Sequence, residues 1–101
     1  FDEKSLSRVH QLAPHIATGL LCGQLPELKH CGELGVRYIA PHYKCLTPEW
    51  MAKAHREGFL LNAWTVNSQP AMRDLIQWGC DAITTDDPLG LQDCLFPAYQ
   101  P

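Results

Sequence analysis

Three times along this chain, a segment with helical spacing of apolar residues ends at a glycine, and an apolar run follows at once. The glycines are Gly35, Gly58 and Gly79. Glycine adopts the left-handed backbone conformation without a steric penalty, so it commonly closes the last turn of a helix. Each junction therefore predicts the end of a helix and the start of a strand. Three junctions in one chain predict a repeated helix–strand unit.

Four apolar runs have the length of strands, and helix-start patterns precede the three intervening segments, the weakest of them at Leu25-Pro26-Glu27. Thr47-Pro48 and Asn67-Ser68 each place a capping side chain ahead of a helical stretch. Two of the apolar runs, at residues 38–40 and 59–61, are continuous rather than alternating, as in a parallel sheet that is covered on both faces. The predicted strands span residues 16–22, 37–40, 59–66 and 81–85. The sequence thus predicts an α/β fold with parallel strands and a last short segment near residues 89–95.

Four such units fit either an open doubly wound sheet or half of a closed barrel. An open sheet that binds nucleotides usually has a glycine-rich turn after its first strand, and only Gly23 stands near that place. A whole (β/α)₈ barrel typically needs about 250 residues, far more than the 101 of this chain. We therefore favour a parallel (βα)₄ half of a TIM-type barrel over residues 1–101, while periodicity alone leaves the open sheet as an alternative.

Composition narrows the class of protein. A net charge of −3 and a pI near 5.9 provide no basic surface for a nucleic-acid backbone. No apolar run approaches the roughly 18 residues that a membrane-spanning helix requires. The five cysteines are odd in number and widely spread, which is typical of reduced thiols in the cytoplasm rather than of a disulfide framework. The expectation is a cytoplasmic protein that binds neither nucleic acid nor a membrane interior.

The last third of the chain carries a resemblance to a known family. A strand bearing Trp-Thr-Val-Asn at residues 64–67 is followed by a helix, by a Gly79-x-Asp81 turn, and by a strand that runs into Thr85-Asp86 and Pro88. This order resembles the end of glycerophosphodiester phosphodiesterases. The resemblance covers nearly the whole chain and is most specific in this last third. It places the chain at strands five to eight of the family's barrel.

The resemblance implies a chemistry and also where its residues lie. It implies metal-assisted hydrolysis of glycerophosphodiesters to glycerol 3-phosphate and an alcohol, with Mg²⁺ or Ca²⁺ as the metal. The family's acid–base histidines and metal ligands belong to the N-terminal half of the barrel, so we assign no catalytic residue and no metal ligand in this chain. The isolated chain is then expected to be inactive. Its expected partners are a glycerophosphodiester substrate and either an N-terminal half-barrel or a second copy.

Trp64 and Asp86 are the first two candidate substrate-binding residues. Trp64 lies near the carboxyl end of a strand, the end at which barrels of this kind carry their active sites, and the resemblance implies an aromatic residue beside the substrate's glycerol. The alternative for Trp64 is a core tryptophan. Asp86 ends the last strand, where its carboxylate could hold a substrate hydroxyl. The alternative for Asp86 is a helix cap or an Asx turn.

Asn67 and His42 are the other two candidates. Asn67, with Ser68, opens the helix after the third predicted strand, where free backbone amides could hold phosphate, although helix capping explains both residues. His42 follows the second strand and could face the barrel mouth, with Lys44 meeting phosphate, although a surface loop is the simpler interpretation. His42 and Cys45 also have a spacing seen in zinc sites and Cys/His hydrolases, a weaker alternative.

Two further functions fit the same pattern. A half-barrel without catalytic residues could act as an assembly module, and another phosphate-handling barrel enzyme would keep the fold but change the substrate.

The remaining histidines are interpreted more simply. We expect His10, His15 and His55 to be solvated residues of helices or loops.

Overall fold

The computed structural model describes residues 3–13, 15 and 17–96. Helices and strands alternate in the predicted order. Three of the four strands are shorter than predicted, and the second is shifted by one residue. Ile16, at the start of the first predicted strand, lies outside the described residues. The elements are α1 (Glu3–Leu12), β1 (Gly19–Cys22), α2 (Leu28–Leu34), β2 (Tyr38–Pro41), a 3₁₀ turn (Tyr43–Cys45), α3 (Pro48–Arg56), β3 (Leu60–Ala63), α4 (Gln69–Gln77), β4 (Ala82–Ile83) and α5 (Pro88–Leu95).

The three junction glycines have the predicted left-handed conformation. Gly35, Gly58 and Gly79 have φ angles of 74°, 91° and 85°, a region that L side chains rarely adopt. Gly35 is constrained a second time, because a Cβ atom placed there would overlap the imidazole ring of His10. His10 is an exposed residue of α1, as predicted, and its ring also lies against the end of α2.

Helix starts follow the predicted capping pattern in two cases of three. The Thr47 hydroxyl accepts a hydrogen bond from the Trp50 N–H at 3.2 Å, with Pro48 opening α3. At α4 the Ser68 hydroxyl accepts from the Ala71 N–H at 3.5 Å. The weaker start at Leu25-Pro26-Glu27 is different, since the Glu27 side chain makes no capping hydrogen bond to α2.

The sheet topology decides between the two folds that periodicity left open. The four strands are parallel and lie in the order β1-β2-β3-β4, so every strand is next to its neighbour in sequence. Right-handed crossovers that always advance in one direction place all their helices on the same face of a sheet. A doubly wound sheet would instead reverse its strand order. The structure therefore agrees with consecutive strands of a (β/α)₈ barrel.

One face of this sheet is covered by helices and the other is open. Leu20, Ile39 and Leu61 point to the covered face and are at most 5% exposed. Their neighbours Leu21 and Tyr38 point to the opposite face and are 47% and 44% exposed. In this chain alone, the continuous apolar strands are thus covered on one face only, as expected for half of a barrel. The reason is geometric, because four strands do not close into a barrel that would cover the second face.

The helices complete a single apolar core against the covered face. The buried residues of α2, α3 and α4 join those of the strands in one cluster. None of the described helices is long and apolar enough to cross a membrane. The helix residues at the centre of this core are Leu28, Cys31, Met51, Ala54, Met72 and Leu75.

Candidate substrate-binding site

The parallel register brings the ends of successive strands to one edge of the sheet. Cys22 pairs with Pro41 at the end of β1 and β2, and one residue further on His42 forms a parallel bridge with Trp64. At the end of β4 the Thr84 carbonyl accepts from the Val66 N–H at 2.9 Å. We call this side of the sheet the carboxyl edge; it carries all four candidate residues that the sequence predicted.

His42 and Trp64 form an aromatic pair at this edge. Their ring centroids are 5.0 Å apart with an interplanar angle of 76°, an edge-to-face contact. The Trp64 indole N–H donates to the Ala40 carbonyl at 2.6 Å, which fixes the ring along the end of β2. Trp64 is only partly buried, whereas Ala63 beside it is fully buried on the helix-covered face. Because neighbours in a strand alternate, Trp64 faces the open side of the sheet.

Tyr43 adds a third ring to this pair, and no pattern in the sequence singled it out. Its ring stacks on His42 with centroids 5.2 Å apart and an interplanar angle of 21°. Its backbone N–H donates to the Trp64 carbonyl at 3.0 Å. His42 is held from a third direction, since its Nδ1 accepts from the Lys44 N–H at 3.2 Å. The three rings thus form a fixed, half-buried aromatic surface, which we call the aromatic cluster.

Asn67 and Asp86 form a second, polar group at the same edge. The Asn67 Oδ1 accepts from the Asp86 N–H at 2.9 Å and from the Thr85 hydroxyl at 3.1 Å. The Asn67 Nδ2 donates to the Asp86 carboxylate at 3.2 Å. One asparagine side chain therefore ties the loop after β3 to the loop after β4, while the Asp86 side chain stays exposed.

The helix-capping roles considered for Asn67 and Asp86 belong to their neighbours, Ser68 and Asp87. Ser68, and not Asn67, supplies the side-chain cap of α4. Asp87, and not Asp86, caps α5, because its Oδ1 accepts from the Gly90 N–H at 3.0 Å. Asp87 is also held by the Thr85 hydroxyl, which accepts from the Asp87 N–H at 2.9 Å. Asn67 and Asp86 are consequently engaged with each other rather than with a helix end.

The spacing of His42 and Cys45 does not assemble a metal centre in the described part of the chain. Cys45 Sγ donates to the Gly23 carbonyl at 3.4 Å. In residues 3–13, 15 and 17–96 no three His, Cys, Asp or Glu side chains are grouped so that they could hold a metal ion. Burial raises the pKa of the nearby Cys22 thiol to about 11, and Cys31 and Cys45 add to this effect. Cys22 is therefore protonated at neutral pH and is a poor nucleophile.

The opposite, amino edge holds a hydrogen-bonded pair that the sequence analysis missed. His55 Nε2 lies 2.7 Å from Asp81 Oδ2, and the same oxygen accepts from the Leu61 N–H at 2.8 Å. His55 is thus engaged with Asp81 instead of being simply solvated. The Gly79-x-Asp81 turn could have indicated an aspartate that binds backbone, but its partner on α3 depends on tertiary structure.

Comparison with known proteins gives a consistent family. Residues 1–89 match the glycerophosphoryl diester phosphodiesterase family. A glycerophosphodiester phosphodiesterase of Caldanaerobacter subterraneus subsp. tengcongensis is 33% identical over 90 residues, which are 87% of this chain and 37% of that protein. The chain thus spans little more than a third of this relative's length.

Solved structures show the same partial coverage. The crystal structure of a glycerophosphodiester phosphodiesterase from Parabacteroides distasonis is 31% identical, with a TM-score of 0.84 over 99% of this chain and 42% of that one. An Oleispira antarctica phosphodiesterase, solved with the product sn-glycerol-3-phosphate, shares the fold with a TM-score of 0.83 at 22% identity, over 94% of this chain and 39% of that one. Since the family match extends over most of its sequence, this chain belongs to the glycerophosphoryl diester phosphodiesterase family.

Proposed function

We propose that this chain forms strands five to eight of a glycerophosphodiester phosphodiesterase barrel and provides part of the substrate pocket. The proposed reaction is hydrolysis of a glycerophosphodiester to glycerol 3-phosphate and an alcohol. The observation that carries the proposal is the placement of four polar or aromatic candidates at the carboxyl edge, where barrels of this kind bind substrate. The Oleispira antarctica phosphodiesterase bound to sn-glycerol-3-phosphate supports a glycerol phosphate as the ligand.

Each candidate has a role that its surroundings support. The partly exposed Trp64 ring offers an apolar surface to the carbon chain of glycerol, and His42 supports that ring from the side. The exposed Asp86 carboxylate can accept a hydrogen bond from a glycerol hydroxyl. Asn67 stands next to Asp86 and completes the polar side of the pocket. Apolar and polar groups would then meet opposite sides of one small polyol.

The proposed reaction uses a divalent metal, Mg²⁺ or Ca²⁺, but we assign none of its ligands to the described residues. Such a hard cation prefers several oxygen ligands, above all carboxylates. The side chains that the structure describes provide no suitable group of three. We therefore derive no step through the metal from this chain. Its ligands, together with the acid–base histidines, are proposed to come from the N-terminal half of the barrel.

The open face of the sheet supports the proposed partner. A groove of about 520 Å³ runs across that face, lined by residues such as Leu21, Tyr38 and Leu60. An uncovered apolar sheet face favours association. We propose that an N-terminal half-barrel covers it, or a second copy of the chain when that half is absent.

All five cysteines are free thiols, which supports the cytoplasmic location expected from the sequence.

The test is the release of glycerol 3-phosphate from glycerophosphocholine in the presence of Mg²⁺ or Ca²⁺. The chain is assayed alone and then with the separately expressed N-terminal half of the Caldanaerobacter relative's barrel. That relative's own two halves, mixed in the same way, control for complementation. We expect turnover only in the mixtures. Turnover by the chain alone would show that its own residues contain the catalytic groups, and failure of the heterologous mixture alone would contradict the proposal.

The same open face also favours one rival function, a non-catalytic assembly module. Leu21 and Tyr38 are exposed to an extent that suits a binding surface. The complementation assay separates the two functions, because a module would bind the N-terminal half without restoring turnover. A different phosphate-handling barrel enzyme would instead restore turnover with another phosphodiester and not with glycerophosphocholine.

A further inference from the structure

Three hydrogen bonds within the chain use most of the hydrogen-bonding capacity of the Asn67 side chain. Its Oδ1 accepts two hydrogen bonds, from Thr85 and from the Asp86 N–H, which fill both lone pairs. Its Nδ2 donates to Asp86 Oδ2. The amide orientation follows from these partners, because the backbone N–H requires an acceptor and the carboxylate requires a donor. Both ends of the Asn67 amide therefore contact Asp86.

Asp86, in contrast, keeps hydrogen-bond acceptor positions on its carboxylate for a ligand. Its backbone N–H and its Oδ2 are both bound by Asn67, while its side chain is exposed to solvent. An ionised carboxylate has about four acceptor positions, so most of them remain for a ligand. Asn67 thus holds the backbone of Asp86 through one hydrogen bond and restrains its carboxylate through the other. The carboxylate is drawn toward Asn67 before substrate arrives.

From this geometry we propose that Asn67 is a positioning residue, which does not touch substrate but fixes the Asp86 carboxylate to receive a glycerol hydroxyl. The inference rests on the proposed function and refines its assignment of Asn67. Holding a ligand group in place before binding lowers the cost of ordering it. The hydroxyl-bearing glycerol moiety, rather than the phosphate, is then the part of the substrate that Asn67 affects.

Two substitutions separate the acceptor and donor functions of Asn67. N67A removes all three hydrogen bonds. N67D keeps an oxygen that accepts from Thr85 and the Asp86 N–H, but replaces the donor by a second carboxylate beside Asp86. Thr47→Ala removes one loop hydrogen bond at the cap of α3 and serves as the control for a merely structural change.

The first measurement uses the chain alone and does not depend on activity. Amide hydrogen exchange at Asp86, followed by NMR, reports whether Asn67 holds the loop after β4. We expect faster exchange in N67A than in the wild type, near-wild-type exchange in N67D, and no change at Asp86 in T47A. Unchanged exchange in N67A would overturn the proposal, because Asn67 would then not hold Asp86.

The second measurement uses the mixture with the N-terminal half-barrel and separates KM from kcat. We expect both N67A and N67D to raise KM for glycerophosphocholine about three- to tenfold, like D86N, with kcat nearly unchanged. T47A should lower the melting temperature and leave KM unchanged. The double variant of N67A and D86N should resemble D86N alone, because both changes act on one contact.

The outcomes distinguish this inference from the proposed function. If the wild-type mixture is inactive, the proposed function fails and the exchange data still decide whether Asn67 positions Asp86. A wild-type mixture that is active, with N67A and N67D unchanged in KM, overturns the positioning inference alone. If the fold-changes in KM of N67A and D86N multiply in the double variant, the inference is also overturned, because Asn67 would then have its own contact with substrate.

Discussion

The two edges of the sheet use an aspartate beside β4 in different ways. At the amino edge, Asp81 Oδ2 lies 2.7 Å from His55 Nε2 and accepts from the Leu61 N–H at 2.8 Å, so one oxygen joins α3, β3 and the start of β4. At the carboxyl edge, Asp86 is bound on one side by Asn67 and is exposed on the other. Both residues are exposed, but the first carboxylate joins three elements of the fold, while the second contacts only the Asn67 side chain.

The difference separates stabilising groups from candidate functional groups in a way that residue type does not. Asp81 directly precedes β4 and Asp86 lies in the loop after it, and both have a polar partner from the preceding unit. Asp81 stabilises the fold, because the buried backbone N–H of Leu61 depends on it for a hydrogen-bond acceptor. A role in binding fits Asp86, because unused acceptor capacity at the carboxyl edge is available to a ligand. Substitutions at each edge should therefore change different measured quantities.

The largest expected effect on stability is at the amino edge. D81A leaves the Leu61 N–H without its acceptor, and Leu61 is only 1% exposed. We expect a loss of about 1–3 kcal/mol in the free energy of unfolding, measured by urea denaturation. H55A removes only the partly exposed His55–Asp81 contact and should cost about 0–1 kcal/mol.

The matched change at the carboxyl edge is D86A. Since the Asp86 side chain is exposed, we expect the free energy of unfolding to change by less than about 0.5 kcal/mol. Equal destabilisation by D81A and D86A would contradict the distinction between the two edges. Equal effects of D81A and H55A would instead show that the His55 contact, and not the backbone N–H, accounts for the stability.

The next effect distinguishes two glycines that lead into strands at the amino edge. G58A introduces a Cβ where φ is 91° with open space around it, so only backbone strain of about 1–2 kcal/mol is expected. G35A adds overlap with the His10 ring to a similar strain at φ 74°. Urea denaturation should show a larger loss for G35A than for G58A.

The double variant of G35A and H10A tests the cause of that difference. Removing the imidazole ring should bring the loss close to that of G58A. If G35A costs no more than G58A from the outset, the His10 ring moves aside without cost, and its contact with α2 contributes nothing to stability.

The contrast between the edges also explains how much the sequence could predict. The left-handed glycines and the Thr47 and Ser68 caps follow from local chemistry within a few residues, so their positions could be predicted. The pairing of Asn67 with Asp86 joins residues 19 apart in sequence and depends on the register of β3 and β4. Such contacts have no local pattern, and for the same reason His55 was not recognised as a partner of Asp81.

A smaller effect concerns the aromatic cluster at the carboxyl edge. W64F keeps an aromatic ring beside His42 but removes the indole N–H that donates to the Ala40 carbonyl. We expect a loss of about 0.5–1.5 kcal/mol in the free energy of unfolding, measured by urea denaturation. W50F, on α3, controls for the smaller size of phenylalanine. A W64F variant no less stable than W50F would show that the indole hydrogen bond does not hold the ring in place.

The smallest expected effect is a dependence of the free energy of unfolding on pH. It arises from the hydrogen-bonded pair of His30 and Glu3, which joins α2 to α1. The hydrogen bond from His30 to Glu3, at 2.9 Å, raises the pKa of His30 above its ordinary 6.5, and the charges of Glu3, Glu33 and Glu27 act in the same direction. A raised pKa in the folded state means that protonated His30 stabilises the fold. This contribution is fully present below pH 6.5 and is lost as the pH rises through the higher folded value.

Both side chains are largely exposed to solvent, so screening by salt should weaken the effect. An NMR titration of His30 should show the raised pKa in the wild type and a value nearer the ordinary one in E3Q. In E33Q the change should be smaller, because Glu33 lies 4.0 Å from the ring. A His30 pKa unaffected by E3Q would show that α1 is not joined to α2 through this pair.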